Sequence, residues 1–182
     1  MWIVWGLLLA VVVWGVLVYN GLVQLRVRGD GAWSDISVQL KRRYDLIPNL
    51  VETVKGYAAH EQKVFLQVTE ARSRAMQASA PGEKAAAEGM LAGALKSLFA
   101  VAENYPQLRA NENFMGLQRS LTEIEEAVQG ARRYYNAVVR DYNTKLTVIP
   151  DRFVAQLGGF TPREFFQLGA PEEGQAPKVS FS

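Results

Sequence analysis

The chain has no cysteine and a single histidine among its 182 residues. Without thiols there is no disulfide framework, no lipid-modified N-terminal cysteine, no thiolate metal site and no cysteine nucleophile. His60 stands beside Glu61, and the residue three before it is Tyr57. The Glu-x-x-His pairs of a di-iron bundle are therefore missing. Net charge is only +2, too little for the strongly basic face that bulk nucleic-acid binding needs. Gly89 and Gly93 fall in a helical stretch and lack the strand, lysine and hydroxyl of a phosphate-cradling loop. No segment alternates apolar and polar residues with the period of a half-buried strand. These absences lead us to expect no catalytic residue, no cofactor and no metal site.

One absence is local. Met1 to Leu25 contain no Asp, Glu, Lys or Arg, and Met1 to Val18 are all apolar or glycine. That run reaches about the lower length limit for a bilayer-crossing helix. Trp2, Trp5 and Trp14 suit interfacial depths, and Tyr19, Asn20 and Gln24 mark an exit. No basic residue precedes the run, so residues 1–25 read as a retained transmembrane anchor rather than a cleaved signal peptide. Arg26, Arg28, Lys41, Arg42 and Arg43 follow, against Asp30 and Asp35. The positive-inside rule then puts the N-terminus outside and the remaining domain in the cytoplasm, on the cytoplasmic (inner) membrane. A domain on the outer side is the alternative. The same basic stretch either attracts anionic lipid headgroups or simply sets topology.

Beyond the anchor, Gly29-Asp30-Gly31 is the first breaker, a bend between anchor and domain. Trp33, Ile36, Leu40, Ile47, Val51, Val54 and Ala58 then recur three, four or seven apart, and the pattern continues through Val64, Phe65, Val68, Ala71 and Ala75. This spacing predicts a helix over about residues 32–78, kinked at Pro48 and about 70 Å long. Ser79 to Gly82 is a turn. The next helix, roughly 83–104, lines up Ala85, Gly89, Gly93 and Ser97 on one face. Such a face admits close helix packing, inside the bundle or against another copy. Tyr105-Pro106 breaks it. Phe114, Leu117, Leu121, Ile124, Val128, Ala131, Tyr135, Val138, Tyr142, Leu146 and Ile149 then alternate three and four apart, which predicts coiled-coil-like packing. Pro150 ends that pattern, and a short amphipathic piece, Asp151 to Leu157, meets Gly158-Gly159. Phe160, Phe165 and Phe166 are expected to fold back over the bundle's open end. Residues 169–182 are expected to be a flexible tail. The fold class is all-α: an N-terminal transmembrane helix, then an elongated antiparallel three- to four-helix bundle over residues 26–168.

Three blocks of this sequence resemble the LemA family of bacterial membrane proteins. The first is Tyr19 to Arg26, and the second runs from Trp33-Ser-Asp35-Ile36 through Lys41-Arg42-Arg43-Tyr44-Asp45-Leu46-Ile47-Pro48-Asn49 to Val51. The third joins Ala110 to Phe114, Ala131 to Asn136, Arg140 to Asn143 and Gly159 to Phe166. The resemblance covers nearly the whole chain in order. It implies a single N-terminal span, an antiparallel helical bundle facing the cytoplasm and no established enzymatic activity.

One polar feature remains. Arg42, Asp45, Asn49 and Glu52 form a line beside the apolar stripe, and Arg133, Asn136, Arg140 and Asn143 repeat Arg-x-Tyr-Asn at a seven-residue interval. Facing one another, they would make a register-setting network. The other reading is a partner or ligand site. The functional expectation is a non-enzymatic scaffold or organiser of the envelope that contacts membrane lipid and forms a homo-oligomer. The alternative is an adaptor presenting partners to a membrane enzyme such as a quality-control protease. Ligand sensing in the bundle core is a third possibility.

Overall fold

The computed structural model describes residues 1–167. The expected tail, and residue 168 at the end of the expected bundle, lie outside these. The described chain is all-α: α1 (Trp2–Lys55), α2 (Gln62–Gln77), α3 (Pro81–Glu103), α4 (Pro106–Arg109), α5 (Glu112–Thr147) and α6 (Asp151–Leu157). These helices build two compact units. Met1–Gln39 and Ala127–Phe165 form unit 1, and Leu40–Glu126 with residues 166–167 form unit 2.

Helix α1 corrects part of the expected punctuation. It passes through Gly29-Asp30-Gly31 without a break, and it runs on through Pro48, where no stop is expected, to Lys55. Glycine in a helix interior costs only about 1 kcal/mol relative to alanine, which tertiary contacts readily offset. Proline removes one donor, and a replacement for that bond is present, as described below. The real stop is at Gly56, followed by single turns in which Ala58 N–H donates to the Val54 carbonyl (2.9 Å) and Glu61 N–H to that of Ala58 (3.0 Å). The helix expected over 32–78 is thus two helices, the second being α2.

In unit 1, α5 lies antiparallel to α1. Tyr135 meets Trp33, with ring centroids 5.4 Å apart, while Tyr142 and Leu146 join Val18 and Leu22 in one core cluster. Ala155 of α6 completes that cluster, and Trp14, Leu25, Val154 and Phe160 pack against it. The expected anchor over residues 1–25 is therefore divided. Trp2 to Val13 face outward, whereas Val18 and Leu22 are buried in unit 1. Helix α6 has the bounds that its sequence pattern predicts. It ends in a Schellman motif: Phe160 N–H donates to the Ala155 carbonyl (3.0 Å) and Gly159 N–H to that of Gln156 (3.2 Å). Gly159 has φ of +67°, the left-handed conformation this motif needs. Of the three phenylalanines expected to fold back, Phe160 packs on Tyr19 (ring centroids 5.4 Å) and Phe166 is buried, whereas Phe165 is exposed.

In unit 2, α2 and α3 form a hairpin. Pro81 occupies the first turn of α3, where its missing N–H costs nothing. Asn111 caps α5 by accepting the Phe114 N–H on Oδ1 (3.0 Å). By length and composition α3 could also cross a membrane, but Ala85, Leu91, Leu95, Leu98 and Ala102 are buried within the described protein. That is the pattern of a core helix.

The heptad of α5 holds along its length. Phe114, Leu121, Val128, Tyr135, Val138, Tyr142 and Leu146 are buried, and only Ile149, beyond the helix, is strongly exposed.

Candidate functional site

The most unusual chemistry lies inside unit 2. The apolar stripe of α1 skips from Leu40 to Ile47, and the core positions in that interval hold Arg43 and Tyr44. Helix α3 likewise places Glu88 in phase with Ala85, Leu91 and Leu95. Arg43 is 6% exposed and Glu88 2%. Arg43 Nη1 donates to Glu88 Oε2 and Nη2 to Glu125 Oε1, each at 2.8 Å, so one guanidinium links α1, α3 and α5. The Tyr44 hydroxyl donates to the other oxygen of Glu88. Burial, reinforced by the hydrogen bond to Glu88, pushes the Tyr44 hydroxyl pKa well above its ordinary value. Lys84 stands 5.7 Å from the Tyr44 ring and donates to the Ala75 and Ala78 carbonyls, both at 2.9 Å. It thereby serves the orphan carbonyls at the C-terminal end of α2. Burial lowers its pKa, against the pull of the Glu88 charge.

Pro48 explains one further bond. With no N–H of its own, it leaves the Tyr44 carbonyl, four residues earlier, without its helical donor. Arg72 Nε of α2 supplies that hydrogen bond at 2.8 Å. The proline that reads as a kink is thus a docking point for α2.

A buried ion pair of this kind sets register and geometry more surely than it adds stability. It is an internal staple. Among the described residues no group of three His, Cys, Asp or Glu is placed to hold a metal ion.

Unit 1 uses another chemistry. The Asn143 amide pairs with the backbone of Arg163, Nδ2 donating to its carbonyl and Oδ1 accepting its N–H, both at 2.9 Å. Tyr135 donates its hydroxyl to the Glu164 carbonyl (2.9 Å). Arg163 reaches across α1, where Nη1 donates to the Arg26 carbonyl (2.9 Å) and Nη2 pairs with Asp30. A Cβ at Gly29 would lie 2.6 Å from Arg163 Nη1, so the glycine that looks like a breaker is a notch for this side chain. Burial raises the hydroxyl pKa of Tyr135 and of Tyr142, with nearby Arg163 opposing it at both.

The expected polar seam is not assembled as one network within either unit. Arg42, Asp45, Asn49 and Glu52 belong to unit 2, and Arg133, Asn136, Arg140 and Asn143 to unit 1. The first four are exposed; Asp45 takes Lys41 (2.9 Å) and Glu52 approaches Lys55 (3.8 Å). Arg133 and Arg140 are exposed, Arg140 beside Asp141 (3.9 Å), and Asn136 is half-buried. Only Asn143 has the structural role just described. The network that links helices in unit 2 uses Arg43, one residue from the chosen Arg42. The small-residue face also divides. Ala85 is buried, but Gly89, Gly93 and Ser97 are exposed, and nothing lies within 4 Å of a Cβ built on either glycine. Beside it a groove of about 310 Å³ runs between α2 and α3, lined by Glu70, Arg74, Met90, Gly93 and Ser97 among others. His60 is exposed on the connection from α1 to α2.

The family model described as LemA family matches residues 32–181. Magnetosome protein MamQ 2 of Paramagnetospirillum magneticum is 26% identical over 175 residues, covering 82% of this chain and 64% of the relative. Magnetosome protein MamQ of Magnetospirillum gryphiswaldense is 24% identical over 174 residues, 81% of this chain and 64% of its own length. Protein LemA of Metamycoplasma hominis is 25% identical over 141 residues, 75% and 63% of the two chains. The chain thus spans just under two thirds of the length of these relatives. It belongs to the LemA family, and its relatives together with its exposed apolar first helix fit a membrane-associated protein.

Proposed function

We propose that the chain is a non-enzymatic, single-pass scaffold of the cytoplasmic membrane that works by self-assembly, with its N-terminus outside and its helical domain in the cytoplasm. The observation that carries this reading is the continuity of α1. Its outward-facing apolar run becomes, from Val18, part of the core of unit 1 with no joint between. A unit fixed to the bilayer by a stiff helix suits an organising role better than a tethered one does. Arg26 and Arg28, immediately after the apolar run, favour the cytoplasmic placement. Self-assembly is supported by the open face of α3, where Gly89, Gly93 and Ser97 leave room for a second helix.

Crosslinking with mass spectrometry on the full chain in intact membranes tests this. Homotypic links through Lys96, lost in Gly93→Leu, are expected. A monomeric mass in mild detergent together with no homotypic link in cells would sink the scaffold. Protease protection of tags at the two ends reads the topology.

The exposed line Arg42, Asp45, Asn49 and Glu52 favours a second reading, an adaptor for a membrane enzyme. A stoichiometric membrane-protein partner, lost on Arg42→Ala or Arg133→Ala, would select it.

A further inference from the structure

We propose that the corner joining α5 to α6 is a second membrane contact, inserting Ile149, Phe153 and Leu157 into the interfacial layer of the bilayer that α1 crosses. The proposal rests on the anchor reading of α1.

The outward apolar run of α1 gives way at Val18 to residues that unit 1 covers. Part of that cover is the α5–α6 corner. Helix α5 runs antiparallel to α1, and its Tyr142 and Leu146 share a cluster with Leu22 and Val18. Its C-terminal end is thus carried towards the apolar run. Helix α6 then seats Ala155 in that cluster, with Val154 and Trp14 packed on it. The corner therefore sits where the apolar surface of α1 stops being covered by protein.

Its outer side is apolar. Ile149 is 74% exposed, Phe153 58% and Leu157 91%. They are spaced four apart, across the turn before α6 and along α6 itself. Val148, 43% exposed, adds to the patch. Such side chains are poorly placed in water and well placed among acyl chains just below the headgroups.

The surroundings fit the same depth. Arg152 is exposed beside Phe153, and Arg26 is exposed just beyond the apolar run of α1. Lys145 Nζ, 3.9 Å from Asp151 at the start of α6, lies 3.0 Å from where a Cβ on Gly21 would stand, on the same stretch of α1. Long basic side chains at this level reach phosphates while their stems stay in apolar surroundings. Tyr19, half-exposed and packed edge-on against Phe160, supplies an interfacial aromatic. Together these groups make a collar around the base of the span.

The chain's lack of cysteine makes the test clean. Phe153→Cys, Leu157→Cys, Leu9→Cys and the water-facing control Glu52→Cys are spin-labelled singly in the full chain. They are reconstituted into vesicles of zwitterionic and anionic phospholipid. The ratio of collision rates with oxygen and with a water-soluble nickel chelate reports depth. It is expected to be severalfold higher at positions 153 and 157 than at 52, and highest at 9. An aqueous ratio at 153 and 157 with a lipid ratio at 9 overturns the collar and leaves the anchor. An aqueous ratio at 9 overturns the span, and with it a collar around the base of the span, whatever the ratio at 153 and 157. Poor access to both reagents at 153 and 157 means a protein surface covers the corner, and also overturns the proposal. Both labelled positions on α6 point outward, and unchanged far-ultraviolet circular dichroism confirms that the variants fold.

Discussion

Unit 1 and unit 2 are both built from long amphipathic helices, yet polar groups lock them in opposite ways. In unit 2 the central lock is side chain to side chain, with Arg72 and Lys84 adding bonds to carbonyls freed by Pro48 and by the end of α2. Arg43 bridges Glu88 and Glu125, so three helices meet at one buried charge. In unit 1 the lock is chiefly side chain to main chain, with the Arg163–Asp30 ion pair beside it. Asn143, Tyr135 and Arg163 tie the non-helical residues after α6 to α5 and α1. Away from their ends and from prolines, helices leave few backbone groups free, so a charge buried mid-helix such as Arg43 is met by other charges. A non-helical strap leaves its N–H and C=O groups open, and amides and hydroxyls satisfy them. The type of lock follows from what the backbone leaves unpaired.

The sharpest way to break this comparison is Glu88→Ala. It leaves the buried Arg43 held by Glu125 on one side only, removes the Glu88 acceptor of Tyr44, and is expected to cost ~3–5 kcal/mol in denaturant unfolding of the reconstituted chain. The double variant Arg43→Met with Glu88→Leu should regain most of that loss. A cost below about 1 kcal/mol would mean that the pair is not effectively buried. Asn143→Ala should cost ~2–3 kcal/mol, because both backbone groups of Arg163 lose their partner. Amide exchange should then accelerate around residues 160–165 and stay unchanged around 85–91. Acceleration in both places would show that the two locks are not separable.

Arg72→Ala is expected to cost ~1–2 kcal/mol, since it reopens the carbonyl that Pro48 orphans. In the Pro48→Ala background the helix supplies its own donor, and the cost should fall by about half or more. Equal costs in the two backgrounds would detach Arg72 from Pro48.

The smallest effect is on pH dependence. Tyr44, Tyr135 and Tyr142 all have hydroxyl pKa values raised by burial above the ordinary 10.0. Above that pH the unfolded chain loses these protons first, so stability falls from the ordinary value upward, until each group ionises in the folded state. Lys84, whose pKa is lowered, acts in the opposite sense, its contribution being present above its unfolded value and lost as pH falls. Tyr44→Phe should therefore make the alkaline decline shallower, measured as unfolding midpoints between about pH 9 and 11. An unchanged slope would remove Tyr44 from the account.

Much of the fold is readable from residue order. The heptad from Phe114 to Leu146, the break at Tyr105-Pro106 and α6 at Asp151 to Leu157 all stand where periodicity and proline put them, and the turn expected over Ser79–Gly82 ends two residues early because Pro81 opens α3. The internal staple is not. Arg43, Tyr44 and Glu88 are in phase with the core, and the seven-residue step from Leu40 to Ile47 is the one signal that could have exposed them. Polar residues are normally assigned to the outer face, so attention goes to Arg42 and Asp45 instead. The strap is harder still, because nothing in the spacing of Asn143 and Arg163 says that an amide will pair with a backbone.

By itself the sequence determined what periodicity controls: helical segments, their apolar faces, the uncharged first run and the family. Each of those depends on neighbours a few residues apart. Only the tertiary structure decided that Gly29 is a notch, that Pro48 invites Arg72, and that Val18 and Leu22 belong to a protein core rather than to lipid. It also left Gly89 and Gly93 open to the outside. These outcomes depend on which groups meet across long sequence distances. A glycine or a proline has the same local cost wherever it stands, and the partner that offsets it comes from another helix.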